Sequence, residues 1–129
     1  MAEKPGQPNR LREQEPQINL VHGIMPDSKN EYYVALALDK FGYDYHFQKL
    51  LGMGGIRGSQ IIDFVVFTGG GARAVFVQGE YWHGAKSESE DVLKHAIAAQ
   101  VYGAGNVIDF MGEETDTPEK AEQTVKAKL

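Results

Sequence analysis

QIIDFVVFTGGGARAVFVQGEYWH, residues 60–83, decides how this chain is read. Two short apolar runs, 61–67 and 74–77, are joined across Gly69, Gly70 and Gly71, the composition of a β-hairpin turn. Each run carries polar groups that a buried strand ordinarily excludes. Asp63 interrupts the first, and Gln78, Glu80 and His83 crowd the end of the second. An ionised carboxylate in an apolar strand is costly to desolvate unless a cation or hydrogen-bond donors meet it. Pairing the runs brings Asp63 toward the second cluster. Oxygen and nitrogen donors converging across paired strands point to a small hard-metal site.

Working outward, Ser28 followed three residues later by Glu31 is the capping-box pattern of a helix start. Val34, Leu36, Ala37 and Leu38 supply an apolar face, and Gly42 is placed to end the helix. Residues 43–50 alternate Tyr43, Tyr45 and Phe47 against Asp44, His46 and Gln48, a half-exposed strand. A glycine-rich loop at 52–58 leads to hairpin strands expected at 60–67 and 73–79. A second helix is expected from Ser87 to Tyr102, closed by Gly103, with Val92, Ala96, Ile97, Ala99 and Val101 on its apolar side. Residues 106–111 read as a last strand. Thr117-Pro118-Glu119 starts a charged helix, since proline suits the first helical position. The order α-β-β-β-α-β plus a trailing helix predicts an α/β fold, a mixed sheet flanked by helices.

Three regions follow. Residues 1–27 hold four of the five prolines and read as a flexible or extended arm, in which only Ile18-Asn19-Leu20-Val21 is apolar enough to dock. Residues 28–112 form the folded domain. Residues 113–129 read as a linker, through the solvated run Glu113-Glu114-Thr115-Asp116, and a C-terminal helix.

A chain of 129 residues supports one core. No apolar run approaches the roughly 18 residues of a spanning helix, so no membrane is expected. The N-terminus is too polar for a secretory signal, which makes a cytoplasmic setting the expectation. The absence of cysteine excludes disulfides and thiolate zinc sites. A net charge of −5 weighs mildly against nucleic-acid binding, but binding depends on local charge, and site carboxylates enter the total.

The element order, the Asp in the second strand and Gly79-Glu80-Tyr81-Trp82-His83 after the third resemble the PD-(D/E)XK nuclease superfamily, and within it the very-short-patch mismatch endonucleases. The resemblance covers roughly residues 28–110. It implies a restriction-endonuclease-like αβββαβ core and a Mg2+ or Mn2+ ion held by Asp63, Glu80 and the main-chain carbonyl of Val77. It also implies His83 as general base, Glu31 behind a metal-bound water, and Trp82 beside a base. Two departures stand out. The usual acid, one residue, lysine pattern reads Gln78-Gly79-Glu80 here, so the lysine is missing and the acid has moved by two, which preserves its strand face. Gln78 then serves as a neutral ligand, and Lys86 or Lys94 offers a cation from the next helix. The cysteine-held zinc of the mismatch enzymes has no counterpart, so mismatch specificity is not carried over.

Structural readings stand beside these. The capping box alone accounts for Glu31, and His83 beside Trp82 fits a packed strand end. His22, His46 and His95 lack partners at ligand spacing and read as surface or core. Residues 52–58 lack the Lys-Ser/Thr ending of a phosphate loop, though Arg57 there is placed to contact phosphate. The leading expectation is a metal-dependent DNA endonuclease or resolvase, prokaryotic or phage, acting as a homodimer or within a larger DNA-processing assembly. The alternative is a catalytically inactive nuclease-derived module that binds DNA or builds a phage packaging or virion structure.

Overall fold

The computed structural model describes residues 17–50, 61–78 and 85–129, with side chains from 92 onward in the last stretch. The first helix, α1, spans Lys29–Lys40. Ser28 caps it, its hydroxyl accepting the Glu31 N–H at 3.2 Å. At the other end Gly42 takes φ 79°, and the N–H groups of Gly42 and Tyr43 donate back to the carbonyls of Asp39 and Leu38. This paired return is the Schellman arrangement, which needs a left-handed residue where the sequence supplies glycine. Strands β1 (Asp44–Leu50), β2 (Ile61–Thr68) and β3 (Gly71–Val77) follow. Helix α2 (Ala85–Tyr102) crosses to β4 (Val107–Phe110), and α3 (Pro118–Lys128) closes the chain, capped by Thr117 with proline in its first turn.

The sheet runs β1-β2-β3-β4, antiparallel except for the parallel β3–β4 pair that the α2 crossover makes possible. The hairpin turns on Gly69 and Gly70, with Thr68 paired to Gly71, so β3 begins two residues before its expected start at 73. Among the described residues the fold is α/β, a mixed four-stranded sheet with three α-helices.

The core has two apolar clusters, one on each face of this sheet. Val34, Ala35 and Leu38 of α1 and Ala121 and Val125 of α3 meet Tyr45, Phe47, Phe64, Val66, Val75 and Phe110 on one face. Ala98 of α2 meets Ile62, Val65, Ala74 and Phe76 on the other, with Ile97 and Tyr102 packed alongside. Of the apolar side expected of α2, Ile97 packs against the sheet and the rest is corrected. Val92 and Val101 are 69% and 60% exposed, whereas the helix turns His95, Ala98 and Tyr102 toward the sheet. A histidine in the buried stripe, at helical spacing with Ala98 and Tyr102, masks its period in the sequence.

Residues 113–117 are also corrected. Thr115 is fully buried, and Glu114 accepts the Met111 N–H and pairs with Lys128 at 2.8 Å. Asn30, buried on α1, donates to the Gly112 carbonyl and to Thr115 Oγ1, both at 3.0 Å. The stretch expected to be a solvated linker is the seam that fixes α3 against α1. Of the N-terminal region, Val21 docks into the core as anticipated. It does so through a tight turn in which Val21 and Ile24 exchange main-chain hydrogen bonds and His22 stacks on Tyr45 at 4.5 Å.

Candidate functional site

Glu31 is the first acidic group the fold buries. It lies in the first turn of α1, on the stripe that continues through Val34, Ala35 and Leu38, and only 5% of its surface is exposed. The capping box accounts for half of its surroundings. The Ser28 hydroxyl takes the Glu31 N–H, but the Glu31 carboxylate does not return to the Ser28 N–H. Its Oε1 accepts from the Asp27 N–H and from Gln48 Nε2 of β1, both at 3.3 Å.

Asp63 enters from β2. The ladder between β2 and β3 ends at Phe64↔Val75, and the next donor along β3, the Val77 N–H, goes to Asp63 Oδ2 at 2.7 Å. A side-chain oxygen thus replaces a ladder acceptor where the two strands part, keeping a buried backbone donor satisfied. Val77 thus meets Asp63 through its N–H, whereas the group expected to serve as a metal ligand is its main-chain carbonyl.

The two acids sense each other. Burial pushes the Glu31 carboxyl up from its ordinary 4.5 to about 7, and the negative charge of Asp63 pushes in the same direction. The Asp27 charge adds to this, while the Asp27 N–H and Gln48 pull the other way. Two carboxylates on different elements, one pushed toward neutrality by burial and then by the charge of the other, form a donor set suited to a cation.

Gln78 departs from its expected place. It was expected to point with Asp63; instead its Nε2 donates to Asp109 Oδ1 of β4 at 3.3 Å. The parallel register sets Asp109 beside Phe76, on the sheet face covered by α2, and Gln78 follows Phe76 by two residues. The same Asp109 oxygen lies 2.7 Å from His95 Nε2, and the His95 ring stacks on Phe76 at 4.5 Å. Sequence reasoning set His95 aside for want of a partner at ligand spacing. Its partner is fourteen residues away, across a helix-to-strand connection.

Glu80, Trp82, His83 and Arg57 lie outside the described residues, as does the Lys86 side chain. Among the described residues no three acidic or histidine side chains gather into a metal site; of the expected groups, Asp63 acts electrostatically on Glu31. Gln48, which sequence reasoning passed over as an exposed strand position, stands opposite Asp63 in the β1–β2 register and bonds to Glu31. Beside it opens a cleft of about 440 Å³ lined by His22, Ile24, His46, Phe47, Gln48, Lys49 and Leu50. No described helix is long and apolar enough to cross a membrane. No protein-family model, curated protein or solved structure matches the chain.

Proposed function

We propose that this chain is a divalent-metal-dependent DNA endonuclease or resolvase of the PD-(D/E)XK type. The observation that carries the reading is the convergence of Glu31 from α1 with Asp63 from β2 where β2 and β3 part. The donor chemistry fits the ion. Carboxylate oxygens suit Mg2+ or Mn2+, and a cation beside Asp63 would offset the charge that pushes Glu31 upward. Asp63 would hold the ion, with Glu80 and the main-chain carbonyl of Val77 as further ligands and Glu31 behind a metal-bound water.

When bound, such an ion stabilises the charge that builds on a phosphodiester and lowers the pKa of a bound water. The chain's own groups do the rest. The Val77 N–H fixes Asp63 Oδ2, which sets the carboxylate's orientation before substrate arrives. The Asp27 N–H does the same for Glu31 at the helix start. His83 takes the proton from the attacking water, and Arg57, Trp82 and Lys86 contact the nucleic acid. The protein acts as a homodimer, which presents two sites to two strands, or beside a partner that supplies targeting.

A second reading is favoured by one specific contact. The position where the superfamily usually carries an acid is Gln78, and its carboxamide is engaged by Asp109. On that reading the fold is a nuclease-derived module that binds DNA or a virion assembly without cutting. A nicking assay on supercoiled, linear and branched DNA with Mn2+ separates the two. The endonuclease cuts at least one of these, Asp63→Asn and Glu80→Ala abolish the cutting, and His83→Ala slows it by about 10²–10⁴. A wild-type protein that cuts none of them leaves the binding module.

A further inference from the structure

Strict alternation along β1 puts Gln48 on the wrong side of the sheet for the contact it makes. Tyr45 and Phe47 are buried beneath α1, while Asp44 and His46 are exposed on the other face. A regular strand would send Gln48 to that exposed face, away from Glu31. The backbone at Gln48 instead adopts φ 56°, a left-handed conformation uncommon for a residue with a Cβ. The ladder brackets the irregularity. Phe47 pairs with Phe64 and Lys49 with Ile62, which sets Gln48 opposite Asp63. The outcome is a carboxamide whose Nε2 reaches Glu31 Oε1 at 3.3 Å.

We propose that Gln48 is a positioning residue, whose left-handed backbone turns its carboxamide onto Glu31 and holds that carboxylate beside Asp63. This rests on the metal-site reading above and adds to it a residue whose place follows from geometry alone. Glycine would carry the same φ without strain, yet the chain places a long amide there. Strained backbone of this kind persists where the surrounding structure enforces it, and it concentrates at functional sites. Groups that orient the carboxylates around a metal and its bound water set its affinity even though they do not touch the ion.

The test is calorimetric titration of the metal-free full chain with Mn2+ alone, for wild type, Gln48→Gly and Gln48→Asn, beside urea midpoints of the same proteins. Gln48→Gly keeps the backbone conformation and removes the amide. It should be as stable as wild type or more so, yet bind Mn2+ about 10- to 100-fold more weakly. Gln48→Asn tolerates the left-handed backbone but falls short of Glu31, so it should also lose affinity while remaining folded. A residue kept only for the fold would give the reverse, lower midpoints and unchanged affinity, and that result overturns the proposal. The two readings fail separately. Mn2+ binding by wild type with equal binding by Gln48→Gly removes Gln48 alone; no binding by wild type removes the metal site and this role with it.

Discussion

Asn30 and Glu31 are consecutive, both buried in the first turn of α1, and surrounded in opposite ways. The Asn30 amide reaches across to the turn before α3 and finds two acceptors at 3.0 Å, the Gly112 carbonyl and Thr115 Oγ1. Thr115 Oγ1 in turn donates to the Met111 carbonyl. That network is neutral, short and closed. Glu31, one residue on, points to the β1 and β2 side, where two hydrogen bonds at 3.3 Å accompany the charges of Asp63 and Asp27. The difference separates two reasons for burying a polar group. A satisfied amide joins two helices; a carboxylate crowded by other carboxylates works against the fold in the absence of a cation, and such sites are where function is sought.

The largest effect expected from this contrast is on stability. Asn30→Ala strips the donor from Gly112 and Thr115 and leaves a small void, so it should cost about 2–4 kcal/mol. Glu31→Gln keeps an oxygen for the Asp27 N–H and Gln48 and removes the buried charge. At pH 8 in chelator it should be neutral or stabilising. Urea unfolding with unchanged slope measures both. Equal losses in the two variants would show that Glu31 is as structural as Asn30, and the comparison would collapse.

Legibility in the sequence divides along the same line. Elements set by local rules could be read: the Ser28 cap, the Gly42 terminus, the alternation along β1, the glycine hairpin and the Thr117-Pro118 start of α3 all stand where the residues place them. Asp63 stood out because a carboxylate among apolar neighbours violates a local rule, whereas Glu31 stood out through the capping-box pattern and the family resemblance. What stayed hidden depends on pairing across the chain. Asn30 finds Thr115 only once α3 is docked, and His95 finds Asp109 only once β4 lies parallel to β3. Gln48 looked like an ordinary outward strand residue, since period-two reasoning assumes an extended backbone and φ 56° breaks that assumption. Glu114 and Thr115 resembled solvated linker because four consecutive polar residues carry no sign of the carbonyls and ammonium they will meet.

The next effect is a pH dependence, and its sign distinguishes Glu31 from an ordinary paired carboxylate. Between pH 4.5 and about 7 the folded protein keeps a proton on Glu31 that the unfolded chain has released. Stability therefore falls as pH rises through that window, and the loss is complete above it, about 1–3 kcal/mol in all. Glu114 runs the other way. Lys128 holds its carboxyl below the usual range, so its contribution is present above that range and fades only as pH falls under it. Urea midpoints between pH 5 and 8 lie outside the Glu114 window, and the histidines that titrate there are common to both proteins, so the Glu31 contribution is the difference between wild type and Glu31→Gln. Wild type should lose about 1–3 kcal/mol more than Glu31→Gln across this interval; parallel curves would mean that Glu31 ionises as freely in the folded protein as in the unfolded chain.

The smallest effect comes from the same seam that Asn30 seals, seen from outside. Lys40 at the end of α1 reaches Glu122 of α3 at 3.1 Å, but the Lys40 side chain is 61% exposed. In water the attraction is weak, and holding two long side chains in one geometry costs entropy, so exposed pairs of this kind contribute about 0–1 kcal/mol. Lys40→Met should shift stability by less than about 0.5 kcal/mol, and the shift should vanish in high salt as the pair is screened. The same two helices are joined, yet substitution at Asn30 should cost several times more, because that amide is shielded from the water that would replace its bonds. Urea midpoints at low and high salt for the two variants make the comparison. A Lys40→Met loss approaching that of Asn30→Ala, and persisting in salt, would mean that the seam is held by charge at its rim and that the buried amide merely fills space.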